Sequence, residues 1–140
     1  MSKAEKQKSI PASSIKSLGG VAPVFDLTTQ VPRVGQPDLE VILKVRGMRK
    51  SEWAVLRDEH MKVARDGQPK DDLGEFSFAA MVAASSKEAA GLICKVVEGW
   101  QFDEELNGPN LEELEDLTPG AMGVFLQKID AALFHGRLGN

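Results

Sequence analysis

The spacing of hydrophobic and polar residues changes character along this chain. Leu39 to Arg46 (LEVILKVR) alternates strictly, with Leu39, Val41, Leu43 and Val45 on one side and Glu40, Ile42, Lys44 and Arg46 on the other. A period of two is the pattern of a half-buried strand. Val24 to Val31 (VFDLTTQV) alternates more weakly but is rich in β-branched residues, which also favour a strand. Between them PRVGQPD supplies two prolines and a glycine, a seven-residue connection compatible with an antiparallel hairpin over 24–46. Only two strands are legible. An isolated hairpin is marginal in water, so this one is expected to pack on helices or to pair with another subunit's edge.

From Ser51 the period lengthens. Ser51 opens a helix with Glu52 near its positive end. Trp53, Leu56, His60, Met61 and Val63–Ala64 fall on one stripe at three-to-four spacing. The stripe ends near Arg65, before the breaker run DGQPKDDLG. Phe76 to Trp100 follows, with 16 apolar residues in 25 spread most of the way round a helix. That distribution predicts a central core helix. Ser85 with Glu88 makes a capping-box pair inside it, which predicts a kink or a split there. Gly99 ends the run. Asn110 with Glu113 gives a second capping box, for a helix of one to two turns. Thr118 followed by Pro119 reads as an N-cap and first helical position. Met122, Phe125, Leu126, Ile129, Leu133 and Phe134 line the buried face of this last helix, and Gly136 closes it. The fold class is therefore α+β and predominantly α-helical, with an N-terminal hairpin followed by about four helices over 51–136.

Composition then sets the domain limits. The chain has 140 residues, enough for one domain. Residues 1–23 carry Lys3, Lys6, Lys8 and Lys16 against Glu5 alone, with Pro, Ser and Gly and few large apolar side chains. Such a segment buries too little to offset the entropy of ordering, so it is expected to be a disordered basic tail ahead of a single domain, 24–140.

The net charge of −4 is unevenly spread. Arg33 to Lys70 holds nine basic and six acidic residues, whereas Asp71 to Asn140 holds four basic and thirteen acidic. Unequal halves favour steered protein association, including head-to-tail self-association, so a homo-oligomer is expected. The acidic half argues against nucleic acid, whose phosphates are bound by cationic side chains. The longest unbroken apolar run, Phe78 to Ala84, is far short of the roughly 20 residues that span a bilayer, so no membrane partner is expected. The lysines of the N-terminus are followed by no apolar stretch of the secretory kind. With a single cysteine, Cys94, no internal disulfide forms, which fits a reducing, intracellular setting.

The residues that carry chemistry in other proteins are poorly arranged here. Asp103-Glu104-Glu105-Leu106-Asn107-Gly108 starts like a calcium loop, but Pro109 stands at position 7 and Leu114 at position 12, where a bidentate Glu is needed. His60 and His135 belong to no metal-binding spacing, and no phosphate-binding glycine motif or serine elbow is present. Cys94 lies in an apolar helix and reads as a small hydrophobe. Neither a catalytic site nor a cofactor is expected. What stands out is an acidic stretch, with eight carboxylates and no basic residue between Glu98 and Asp116. Trp100, Phe102, Asp103, Glu104 and Glu105 are its candidate partner-binding residues. Two readings of Trp100 stay open: a staple of the loop to the core, or an aromatic anchor ringed by charge, the composition of an interface hot spot.

The order of features also resembles a family. A hairpin leads into LKVRGMRKSEWAVLRDE, and a core helix ends in VVEGWQFDEEL. An acidic NLEELEDL then precedes TPGAMGVFLQKIDAALF and GRLGN. Over about Val24 to Asn140 this is similar to the tail assembly chaperones of siphophages and their prophages. Phe102 departs mildly from the Leu found in many relatives. The resemblance implies a non-catalytic protein of the host cytoplasm that coats the tape measure protein, keeps it soluble, and helps recruit tail tube subunits. It also implies absence from the mature virion. Two other readings remain: a structural tail or head-completion protein retained in the virion, and a small acidic regulator that mimics nucleic acid.

Overall fold

The computed structural model describes residues 9, 11–21, 23–66 and 77–138, with residues 62–66 described by their backbone alone. Its elements run β1 (Val24–Arg33), β2 (Gln36–Arg46), α1 (Lys50–Asp66), α2 (Phe78–Val96), β3 (Val97–Trp100), α3 (Gly108–Leu117) and α4 (Ala121–His135), with a 3-10 turn at Ile15–Leu18 ahead of them. The α+β reading holds, and the outer limits of the hairpin coincide with the expected 24–46.

The hairpin is tighter than its sequence implies. Its strands run through both prolines, and only Val34 and Gly35 form the tip. Gly35 has a φ of 70°, a left-handed value that glycine adopts without a Cβ penalty. Pro32 and Pro37 fall where the register shifts, between Val31↔Leu39 and Arg33↔Gln36. A bulge is where a strand tolerates a missing N–H.

The sheet has a third strand, which the sequence reading missed. Its order is β1-β2-β3, antiparallel throughout. β3 pairs Leu43↔Trp100, Lys44↔Gly99 and Val45↔Val97, so Glu98 is an extra residue in a bulge. Residues 97–100 therefore belong to the sheet and not to a helix running to Gly99. The β-branched Val97 already has extended backbone angles and closes α2 through its N–H to the Ile93 carbonyl. The stretch 51–136 is accordingly not purely helical.

One face of the sheet is packed and the other is open. Leu27, Thr29, Val31, Val41, Leu43 and Val45 are fully buried. The Thr29 hydroxyl donates to the Val41 carbonyl at 2.8 Å, which satisfies the one polar group on this buried strand face. The outer face carries exposed cross-strand pairs: Lys44–Asp26 at 3.2 Å, Gln30–Glu40 at 3.2 Å and Arg46–Glu98 at 3.3 Å. On the inner side, Trp53, Ala90, Leu92, Ile93, Val96, Leu111, Ala121, Met122, Phe125 and Ile129 join the strands in one core cluster.

Several helix limits differ from expectation. α1 begins at Lys50, and Glu52 turns back to accept the Arg49 N–H at 2.7 Å. In its stripe Trp53 is buried, Leu56 and His60 are half-buried, and Met61 is exposed; the side chains of Val63 and Ala64 lie outside the described residues. Trp53 Nε1 donates to Asp130 Oδ1 at 2.8 Å and Arg57 reaches Asp130 Oδ2 at 3.2 Å, tying α1 to α4. α2 begins at Phe78, capped by the Ser77 hydroxyl, and continues past Ser85 without a break. Glu88 faces His60 across the helix pair at 3.6 Å instead of capping. α2 is also not buried all round: its buried residues are Ala90, Leu92, Ile93 and Val96, whereas Phe78, Met81 and Val82 are exposed.

α3 is ten residues long and capped by Asn107, not Asn110. Thr118 closes α3 instead of opening α4. The N-terminus of α4 is satisfied by Glu115, whose two carboxylate oxygens accept from the Gly120 and Met122 N–H groups at 2.7 and 2.8 Å. A carboxylate beats a hydroxyl there because it takes two orphan donors and complements the helix dipole. Gly136 ends α4 in left-handed geometry, as its position predicts. Among the described residues no helix is long and apolar enough to cross a membrane.

Candidate partner-binding site

The acidic segment folds into a pinned loop, Gln101 to Asn107, between β3 and α3. Three side chains hold it. The Gln101 carboxamide extends the ladder beyond β3: its Oε1 accepts from the Ile42 N–H and its Nε2 donates to the Glu40 carbonyl, both at 2.9 Å. A side-chain amide with one donor and one acceptor thus replaces a peptide group on the edge of β2. Trp100 Nε1 donates to the Glu104 carbonyl at 2.7 Å. Asn110 Nδ2 donates to the Glu105 carbonyl at 2.7 Å, while its N–H is capped by Asn107 Oδ1. The loop is preorganised although its side chains are largely exposed.

This pinning sets the two aromatic rings together. Trp100 and Phe102 meet edge to face with centroids 5.0 Å apart, a favoured quadrupole arrangement. Both are half-buried and pack on the margin of the core. Trp100 therefore staples the loop and also keeps part of its surface in solvent. A groove of about 190 Å³ opens against the rings, walled by Glu104 on the loop and by Asn110, Glu113, Leu114 and Leu117 on α3. Leu117, at the end of α3, is 73% exposed.

The structure brings Trp100, Phe102 and Glu104 to one groove. Asp103 and Glu105 are exposed beside it on the same loop. Leu114 and Leu117 were missed by sequence reading, although their spacing of three on an otherwise acidic helix marks them as one stripe. Among the described residues Asp103, Glu104, Glu105, Glu112, Glu113 and Asp116 form no ion pair. An apolar floor with an unpaired acidic rim is suited to a partner that carries apolar and basic residues.

The remaining reactive groups are arranged for packing. Cys94 is half-buried, and burial pushes its thiol above the ordinary value, which disfavours the nucleophilic thiolate. Among the described residues no three His, Cys, Asp or Glu side chains gather in a way that could hold a metal ion.

The fold is thus α+β, with an apolar groove beside Trp100 that carboxylates rim. The chain belongs to the phage tail assembly chaperone family, whose model matches residues 12–140. That match reaches further toward the N-terminus than the Val24 start of the resemblance in the sequence. Membership makes this a non-catalytic protein of phage tail morphogenesis that binds tail proteins and acts where tails are assembled, in the host cell. No curated protein and no solved structure matches the chain.

Proposed function

We propose that this chaperone binds the tape measure protein through the Trp100–Phe102 groove, keeps it soluble, and helps recruit tail tube subunits. It acts in the host cytoplasm and is left out of the mature virion. The observation that carries this reading is the pairing of a half-exposed aromatic couple and an exposed Leu117 with carboxylates that no described cation neutralises. An amphipathic helix with basic flanks fits such a groove, its apolar stripe on the rings and its cations steered by the rim. Copies of the chain also associate with each other, a reading supported by the uneven charge of its halves.

Co-expression with the tape measure protein tests the main reading, scored by whether that protein becomes soluble. Trp100→Ala is expected to weaken binding by about 2 kcal/mol or more, the scale of an interface anchor. Because Trp100 also staples the loop, Leu117→Ser serves as the cleaner probe: it should weaken binding while thermal unfolding hardly moves. Charge reversal at Glu104 and Glu105 should slow association and flatten its salt dependence. Unchanged binding by well-folded variants at both Trp100 and Leu117 refutes the groove. Detection of the protein in purified virions refutes its departure from the finished tail.

A further inference from the structure

The Trp100 groove leaves two features unused, and they complement each other. The first lies on the opposite flank of α3. There the start of α2 and the carboxylate side of α3 enclose a shallow groove of about 590 Å³, with Phe78, Ala79, Val82 and Ala83 as its floor and Glu112 and Asp116 at its rim. Phe78 is 69% exposed and Val82 48%, although both belong to the longest apolar run in the chain. Spaced four apart on a helix, they form one contiguous patch, the kind that marks an interaction surface. Neither Glu112 nor Asp116 has a cationic partner among the described residues.

The second feature is the 3-10 turn at Ile15–Leu18. It is preformed: Ser14 Oγ accepts from the Lys16 N–H at 3.2 Å, and Ser17 Oγ donates to the Ser14 carbonyl at 2.7 Å. Residues three apart eclipse in a 3-10 helix, so Ile15 and Leu18 stand side by side. They are 86% and 60% exposed, and Lys16 lies between them in sequence. No residue of the turn is buried. It nevertheless falls inside the stretch that the family model matches.

We propose that the Ile15–Leu18 turn of one copy docks in the α2–α3 groove of a second copy. Ile15 and Leu18 cover Phe78 and Val82, and Lys16 meets Glu112 and Asp116. In the folded chain the turn does not line its own groove, and its apolar pair and Lys16 complement the apolar floor and acidic rim of that groove in a second copy. Two different patches meet, so the contact is heterologous and joins copies head to tail, closing into rings or extending as filaments. This inference rests on the self-association reading above and supplies its surfaces; it is independent of the Trp100 groove. The contact involves few side chains, so each link is weak and shows itself at high concentration.

Sedimentation of the full chain up to high micromolar concentration tests it, with Phe78→Ser as the variant lacking the groove and Ile15→Ser/Leu18→Ser as the variant lacking the turn. All of these residues are exposed, so folding should survive, and circular dichroism checks that it does. Each variant alone is expected to stay monomeric, its association weakened about tenfold or more by the lost apolar contact. Mixed together, the two variants should form a one-to-one complex and stop there, because only one intact junction remains. Asp116→Lys should weaken association as Phe78→Ser does, and deletion of residues 1–20 should act like loss of the turn. Wild-type association that neither variant changes overturns the docking while leaving self-association standing. A strictly monomeric wild type overturns both. Failure of the mixed variants to pair shows that the turn and groove do not meet between copies.

Discussion

The two ends of α2 are alike in composition and opposite in surroundings. Ala90, Leu92, Ile93 and Val96 are buried in the core cluster with Leu111 and Phe125. Phe78, Met81 and Val82, three turns earlier on the same helix, are exposed, Phe78 and Val82 along the carboxylate flank of α3. The apolar run at the exposed end is the longer one. Apolar content therefore fixes that the segment is helical and sticky, but not whether the domain itself covers it. The buried half is covered because β3 turns back onto β2 and because α3 and α4 close over it. The exposed half borders α3 only across an open groove, so its apolar side chains stay in solvent. A helix that looks like core throughout is buried over one half and exposed over the other.

Substitutions at the two ends test this contrast. Ile93→Ala should cost about 2–5 kcal/mol of stability, the range for truncating a fully buried aliphatic side chain. Denaturant titration reads it directly; a loss below about 1 kcal/mol would mean that the buried half is not the keystone described. An intermediate effect is expected at Gln101, which holds β3 and its loop against β2. Gln101→Ala removes two hydrogen bonds to exposed backbone and should cost about 1–2 kcal/mol. Amide hydrogen exchange should then quicken at Ile42, whose N–H loses its acceptor; an unchanged rate there would show that the carboxamide is not part of the ladder. The smallest effect is expected at the exposed end. Phe78→Ser should leave stability within about 0.5 kcal/mol, as surface positions do, while self-association falls. A large drop in unfolding midpoint would erase the distinction between the two ends.

The candidate site divides in the same way between what is local and what is not. Trp100, Phe102 and the carboxylates of the loop were legible because aromatic residues in an acidic, helix-breaking stretch are conspicuous. Leu114 and Leu117 are not legible as part of the site, since nothing in the sequence says that α3 lies beside the Trp100 ring. Trp53 was placed in the core from its stripe, and it is fully buried. Its acceptor Asp130 is not legible in the sequence, because a tryptophan N–H declares that it needs an acceptor but not which one.

The sequence by itself determined the elements whose signals are local. Alternation fixed β2 and its buried face, three-to-four spacing fixed the buried face of α4, and Gly136 marked where that helix ends. Acidic clustering between Glu98 and Asp116 and the scarcity of catalytic groupings pointed to binding, in agreement with the family. Only the tertiary structure decided the rest. Val97–Trp100 reads as a continuation of an apolar helix, and it becomes a strand because the edge of β2, more than fifty residues earlier, offers unpaired backbone groups. Thr118 has the local chemistry of an N-cap, yet Glu115 takes that role because its carboxylate lies within reach of two N–H groups. Local propensities differ by about 1 kcal/mol or less per residue. A ladder of hydrogen bonds or a buried side chain outweighs them, and those partners exist only once the chain has folded.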